Sequence, residues 1–141
     1  MNENSVKLHY DIPAYDLTTA GEASSSVKRK LTQLGVNPVS IKKAAVAMYE
    51  AEINAVIHAG GGSAEVEIGR NGITIEILDN GPGITDIDLA MQEGYSTATD
   101  IVREMGFGAG MGLPNMKRYA DELDIRSEPG IGTAVKIVVN F

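Results

Sequence analysis

The sequence of 141 residues contains no cysteine and no tryptophan. Without cysteine the chain has no disulfide framework, no thiolate metal site and no thiol nucleophile. Its apolar runs are all far shorter than the roughly 18 residues that a membrane-spanning helix needs. The start of the chain lacks the basic stretch and apolar run of a signal peptide, so we expect a cytoplasmic protein.

Positive charge is also scarce, because 12 Lys and Arg residues face 19 Asp and Glu residues and the formal net charge is −7. This balance argues against a partner that is a nucleic acid or an anionic membrane. The hydrophobic fraction of 43% and the charged fraction of 22% are ordinary for a globular protein. The length suits one domain, so we expect residues 1–141 to form a single domain.

Glycine, by contrast, is abundant. Of 16 glycines, 14 lie between Gly60 and Gly132. The absence of a three-residue period excludes collagen, and interleaved hydrophobic residues argue against a flexible linker. Clustered glycine therefore indicates a backbone that bends sharply or approaches another group closely.

Five stretches are predicted to be β-strands, the first three from alternating apolar and polar residues. They are residues 5–12, 64–69, 73–79, 124–128 and 133–141. Asn71-Gly72, between the second and third strands, is a hairpin signal. The turn Glu128-Pro129-Gly130 is expected to join the last two strands.

Three helices are predicted from capping residues and helix formers. One is capped by Asp16 or Thr18–Thr19 and ends near Leu34, one runs from Pro38 to Ala59, and one from Leu113 to Leu123. Residues 80–111 are expected to form a long loop with one short helix near 86–92. This order predicts an α+β fold, a two-layer sandwich whose mixed, mostly antiparallel sheet is covered on one face by about three helices.

The second predicted helix carries a polar stripe. At 100° per residue, Glu50, Asn54 and His58 share one face, whereas Glu52 points roughly 160° away from Asn54. A carboxylate one turn from an amide can act as a general base beside a ligand of a divalent cation. The alternative is a solvated polar stripe with no chemical role.

Two glycine-rich segments follow. Asp79-Asn80-Gly81-Pro82-Gly83 comes directly after a predicted strand, which suits either a turn or a carboxylate that accepts a hydrogen bond from a ligand. The run from Gly106 to Leu113 opens a helix, where exposed N–H groups can bind an anion. That run is neither a P-loop nor a Rossmann fingerprint, and a flexible hinge is the alternative.

Together and in this order, the motifs resemble the GHKL (Bergerat-fold) ATP-binding superfamily. Glu50 to Asn54 is similar to its N box, and Asp79-x-Gly81-x-Gly83 to its first glycine box. Gly108-x-Gly110-x-Gly112 is similar to its second glycine box, and Gly132-Thr133 to its last motif. The resemblance covers about residues 38–138.

Within that superfamily the chain resembles the bacterial anti-sigma regulatory factors that are serine/threonine kinases. The resemblance lies in Gly94-Tyr95-Ser96-Thr97 and in the run from Gly110 to Glu122, and is greatest for the stress-signalling switch kinases. Gyrase-, MutL- and chaperone-type members need further domains. Sensor histidine kinases need a helical hairpin with the phosphorylated histidine, and neither His9 nor His58 lies in one.

The resemblance implies a role for each residue of these motifs. Asp79 would bind the adenine amino group, with support from Thr133, and Gly81 and Gly83 would lie beside the base. The residues implied at the phosphates are Gly108, Gly110, Met111, Gly112 and Leu113. Asn54 would ligate Mg²⁺, and Glu50 would be the general base. Residues 84–111 would form a lid over ATP.

The implied substrate is a serine or threonine of a STAS-type anti-anti-sigma protein. A non-catalytic alternative stays open, in which the chain is a nucleotide-dependent anti-sigma factor or partner-switching module. Homodimerisation is plausible because the first strand offers an edge. The resemblance leaves open whether four other residues contact the nucleotide: Arg103, Lys117, Ser96 and Thr97.

Overall fold

A computed structural model describes residues 5–13, 20–58, 61–79, 112–128 and 132–141. The elements within these ranges, in chain order, are β1 (Val6–Ile12), α1 (Glu22–Gln33), α2 (Pro38–His58), β2 (Gly62–Ile68), β3 (Gly72–Asp79), α3 (Gly112–Tyr119), β4 (Glu122–Glu128) and β5 (Gly132–Asn140). This order matches the predicted one. The predicted loop with its short helix and lid, residues 80–111, lies outside the described ranges. None of the described helices is long and apolar enough to span a bilayer.

The five described strands form one sheet in the order β1-β2-β3-β5-β4. All four neighbouring pairs of strands are antiparallel. The described sheet is therefore wholly antiparallel, whereas the sequence predicts a mixed, mostly antiparallel sheet. Alternate residues point to the helices, and Ile73, Ile75 and Ile77 of β3 are almost completely buried there. Each such side chain contributes about 1.5–3 kcal/mol when it leaves water. The predicted α+β class is confirmed.

Helix α2 is the centre of the helical layer, since it packs against α1, α3 and the strands β3 and β5. Its buried face is rich in alanine, with Ala44, Ala47 and Met48 fully buried. Small side chains let the sheet and both neighbouring helices approach the same helix closely. The Asn37 side chain caps its start by accepting the backbone N–H of Ser40 at 2.9 Å.

The predicted start of α1 is wrong. The helix begins at Glu22 with Gly21 as its N-cap residue, not beside Asp16 or Thr18–Thr19. Gly21 has a φ of 95° and no side chain to cap the helix. A carboxylate from a distant part of the chain takes that role, which local sequence patterns do not reveal.

The predicted end of α3 is also wrong, because the helix ends at Tyr119 and not near Leu123. The backbone N–H of Asp121 already donates to the carbonyl of Val138 in β5. The Asp121 carboxylate in turn accepts a hydrogen bond from the backbone N–H of Asn140 at 2.7 Å and one from the ammonium group of Lys43 at 2.8 Å. Pairing with the sheet therefore stops the helix.

The predicted hairpin between β2 and β3 is present, with its turn shifted by one residue. Gly69 donates its N–H to the carbonyl of Gly72, so Arg70 and Asn71 are the central turn residues. Gly62 is the first residue of β2. A Cβ at Gly62 would lie 2.0 Å from the carbonyl oxygen of Leu78.

The substitution Gly62→Ala is therefore expected to force the end of β3 outwards and to lower the free energy of unfolding by about 2–3 kcal/mol. Gly69→Ala is a matched control in the same hairpin, because the nearest atom to its added Cβ is 3.8 Å away. Urea denaturation measures both. Equal stability of the two variants would contradict the close approach at Gly62.

Candidate functional site

Asp79 and Thr133 are neighbours on adjacent strands at one end of the sheet. Asp79 is the last residue of β3 and pairs in register with Thr133 near the start of β5. The backbone N–H of Thr133 donates to Asp79 Oδ1 at 3.1 Å. This bond orients the carboxylate, and the structure thus brings together two residues that are 54 positions apart in the chain.

Ser127 of β4 orients the hydroxyl of Thr133 from the other side. The two hydroxyl oxygens are 3.0 Å apart, and Ser127 Oγ also lies 3.3 Å from the carbonyl oxygen of Gly132. A serine hydroxyl has one hydrogen. If Ser127 donates it to Gly132, Thr133 donates to Ser127, and the lone pairs of Thr133 Oγ1 remain available as acceptors.

Glu50 and Asn54 lie one turn apart on α2, and both side chains are partly buried. The side-chain amide of Asn115 in α3 donates to Glu50 Oε1 at 3.5 Å. Burial raises the pKa of Glu50, and the bond from Asn115 partly offsets this by favouring the charged form. A carboxylate whose pKa is raised is a better proton acceptor than a solvated one.

The C-terminal end of α2 lies near the end of the sheet where Asp79 and Thr133 meet. Helix α2 runs towards Gly62, and Gly62 packs against Leu78 and Asp79 at the end of β3. The backbone N–H of Gly61 donates to the carbonyl of Ala55 at 2.8 Å, which ties the last turn of α2 to the start of β2. The helix that carries Glu50 and Asn54 thus ends close to the polar end of the sheet.

Gly112 and Leu113 form the N-terminal turn of α3, which packs against α2. The predicted helix opening after the glycine run is therefore present, with backbone N–H groups at its start. Lys117 lies exposed on the same helix. The other candidates from the glycine motifs and their surroundings lie outside the described residues: Gly81, Gly83, Ser96, Thr97, Arg103, Gly108, Gly110 and Met111.

Sequence reasoning missed two residues that contact the predicted site residues. Asn115 follows Gly-Leu-Pro in the sequence, and its contact with Glu50 is not predicted, although the helix that contains it is. Ser127 precedes the predicted turn Glu128-Pro129-Gly130, whose last two residues lie outside the described ranges, and belongs to no motif. Its contact with Thr133 depends on the register of β4 and β5, which is known only once the sheet is formed.

The profile of the family described as histidine kinase-, DNA gyrase B-, and HSP90-like ATPase matches residues 41–141. This stretch includes Glu50, Asn54, Asp79 and Thr133. The chain belongs to this family. Membership confirms the predicted GHKL superfamily and implies the use of ATP.

Two relatives define the group within the family. The chain is 31% identical over 128 residues to the serine/threonine-protein kinase RsbT of Bacillus subtilis, with 88% of each protein covered. It is 40% identical over 96 residues to the anti-sigma F factor of Thermoanaerobacter sp. strain X514, with 64% of each covered. These matches confirm the predicted anti-sigma regulatory factor and serine/threonine kinase group.

The fold has a counterpart among solved structures. A chain of the SiaB–SiaC complex from Pseudomonas aeruginosa superposes with a TM-score of 0.59. The aligned region covers 94% of this chain and 88% of that one, at 13% sequence identity. At this identity the likeness supports the α+β architecture and nothing more specific.

Proposed function

We propose that the protein is a serine/threonine kinase that transfers the γ-phosphate of ATP to a serine or threonine of a STAS-type anti-anti-sigma protein. The observation that carries this proposal is the position of Glu50. Its partly buried carboxylate has a raised pKa and lies one turn from Asn54, on the helix that packs against α3. The likeness to the serine/threonine-protein kinase RsbT supports the same activity.

In this proposal the adenine end of ATP binds at Asp79. The carboxylate is held by the N–H of Thr133 and is suited to accept a hydrogen bond from the adenine amino group. Thr133 adds a hydroxyl that Ser127 orients, acting on adenine directly or through a water. Gly81 and Gly83, which have no side chains, would leave room beside Asp79 for the base.

The phosphate end would bind between α2 and the start of α3. The amide oxygen of Asn54 is a hard ligand of the kind that Mg²⁺ prefers, and Mg²⁺ supplies positive charge that offsets the phosphates. Such a cation also suits a chain whose net charge is −7. Backbone N–H groups of Gly108, Gly110, Met111, Gly112 and Leu113 would donate to the phosphate oxygens, with the dipole of α3 aiding them.

For the transfer itself, the oxygen of the partner's hydroxyl forms a bond to the γ-phosphorus. The bond from that phosphorus to the bridging β,γ-oxygen breaks, and ADP leaves. Glu50 accepts the proton of the attacking hydroxyl. Most of the rate enhancement in such a reaction comes from positioning and charge neutralisation, which is what a fixed helix face supplies.

Incubation of the protein with ATP labelled in the γ-phosphate, Mg²⁺ and purified STAS-domain proteins tests this function. We expect stoichiometric, acid-stable label on one serine or threonine of a STAS protein. Label should be absent when the STAS residue is alanine. Nucleotide binding without transfer to any of the STAS proteins tested would contradict the kinase proposal.

The substitution Asn54→Ala is expected to lower the affinity for Mg²⁺-ATP by about tenfold or more, because a ligand of the cation is lost. Affinity for ADP in the presence of a chelator should stay within about twofold, since Asp79 binds the base. Calorimetry measures both. Asn37→Ala is the control, because it removes the cap of the same helix and costs stability without touching the site. If Asn54→Ala lost the same factor of nucleotide affinity with and without Mg²⁺, a contact between Asn54 and the metal would be contradicted.

The alternative is a module that binds a sigma factor and uses ATP only as a structural ligand. The 40% identity to an anti-sigma F factor favours it. In that case the protein would hold a sigma factor in a nucleotide-dependent complex and label no STAS protein. Size-exclusion chromatography with candidate sigma factors, with and without nucleotide, separates this function from the kinase.

Two further features complete the proposal. The protein acts in the cytoplasm, where ATP and sigma factors are found. It also forms a homodimer through β1, which lies at the edge of the described sheet and pairs only with β2 there. Analytical ultracentrifugation checks the dimer, and a monomer at micromolar concentration would contradict it.

A further inference from the structure

Glu52 lies on α2 between Glu50 and Asn54, yet its carboxylate faces the other side of the helix and is only 2% exposed. Oε2 accepts the backbone N–H groups of Gly21 at 3.0 Å and Ala23 at 3.2 Å, and Oε1 accepts that of Ser24 at 3.0 Å. One buried carboxylate thus accepts hydrogen bonds from three backbone N–H groups at the start of α1.

The start of α1 needs this distant partner. The first N–H groups of a helix have no acceptor within it, and Gly21 offers no side chain to satisfy them. A carboxylate at a helix N-terminus also interacts favourably with the helix dipole, and its bonds are charge-assisted. Those interactions explain why a charged group is stable in this buried place.

The same contact holds α2 tightly against α1. Next to Glu50 in the chain, the Tyr49 ring packs on Gly21, where a Cβ would lie 2.9 Å from its Cε1 atom. The positive φ of Gly21 excludes most other residues as well. The backbone of α1 is therefore fixed against α2 at the level of Glu50.

On its other side α2 is held by α3 and by the chain that follows it. Asn115 donates to Glu50, and Lys43 forms an ion pair with Asp121. Side-chain ends lie about 5–6 Å from a helix axis, so a rotation of α2 by about 10° would move the Glu50 carboxylate by ~1 Å. A displacement of that size at a reacting group can reduce a rate by about 10²-fold.

We propose that Glu52 is a positioning residue: by binding the N-terminus of α1 it fixes the rotation of α2, and thereby the direction in which Glu50 and Asn54 point. Glu52 itself touches no substrate. The inference rests on the proposed function for its effect on transfer, whereas its effect on the position of Glu50 is independent of any activity.

The test compares Glu52→Gln with Val139→Ala. The glutamine keeps the size of the side chain but turns an amide N–H₂ towards the N–H groups of α1. Val139→Ala removes buried volume at the opposite end of β5 from Thr133, so it is a control for general loss of stability. Both are studied at a temperature where each is fully folded.

Three measurements decide the outcome. For Glu52→Gln we expect kcat for transfer to fall by about 10- to 100-fold with the affinity for Mg²⁺-free ADP within about twofold, and the side-chain amide resonances of Asn115 to shift. Val139→Ala should resemble the wild type in all three. If Glu52→Gln does not fold, Glu52→Asp, which keeps the charge on a shorter side chain, takes its place.

Unchanged Asn115 resonances in the Glu52 variant would overturn the positioning role, whatever kcat does. If the wild type transfers no phosphate but the Asn115 resonances shift in the variant, the kinase proposal fails and the positioning role stands. If the resonances shift and kcat equals that of Val139→Ala, the claimed effect on transfer is overturned.

Discussion

The substitution Asp79→Asn is expected to lower the affinity for ATP and ADP by about 10²-fold or more. The amide oxygen can keep the bond from the Thr133 N–H, but the N–H₂ group then faces the adenine amino group, donor against donor. A hydrogen bond to a charged group contributes about 1.5–3 kcal/mol, and a mismatched polar pair in a site costs more than a missing bond. Isothermal titration calorimetry measures the loss.

Selectivity distinguishes this account from general damage to the site. Affinity for inorganic tripolyphosphate, which has no base, should stay within about twofold in Asp79→Asn. Asp124→Asn is the matched control, because Asp124 is an exposed residue of β4 whose described partner is Arg126. An unchanged affinity for ATP would refute the adenine contact, and equal losses of ATP and tripolyphosphate would indicate a distorted site.

The substitution Glu50→Gln is expected to reduce phosphate transfer by about 10²- to 10⁴-fold, the range that a general base contributes. Nucleotide affinity should change little, because Asp79 and Asn54 remain. Single-turnover transfer to the STAS partner measures the rate. Glu22→Gln, at an exposed position on α1, is the control and should transfer at the rate of the wild type. A Glu50→Gln enzyme with full activity would exclude Glu50 as the base.

The pH dependence follows from the raised pKa of Glu50. The wild-type rate should fall as the pH drops through that pKa, because the protonated carboxyl accepts no proton. The stability of the fold depends on pH in the opposite direction to the rate. Between the ordinary value of 4.5 and the raised pKa, the folded state holds a proton that the unfolded state has lost, so stability decreases as the pH rises through this window. Glu50→Gln should therefore be at least as stable as the wild type at neutral pH.

Much of this fold could be predicted because its signals are local. Alternation of apolar residues identified β1, β2 and β3, and the Asn71-Gly72 pair identified the hairpin to within one residue. The alanine-rich α2 and the order of elements followed in the same way. Asp79 and Thr133 were grouped only through the family resemblance, and the register of β3 and β5 now accounts for their contact.

The errors and omissions arise from contacts between distant parts of the chain. The N-terminus of α1 is fixed by Glu52, which is 31 residues away from Gly21, and no rule of helix capping considers so distant a side chain. The end of α3 is set by pairing of Asp121 with β5. Ser127 and Asn115 acquire their partners only when strands and helices pack together.

A crystal structure of the protein with Mg²⁺ and a non-hydrolysable ATP analogue tests the central claim most directly, because it locates both ends of the nucleotide at once. We expect the adenine amino group within hydrogen-bond distance of Asp79, the cation on Asn54, and Glu50 facing the γ-phosphate. A nucleotide bound elsewhere, or one whose adenine lies away from Asp79 with Glu50 turned from the γ-phosphate, would contradict it.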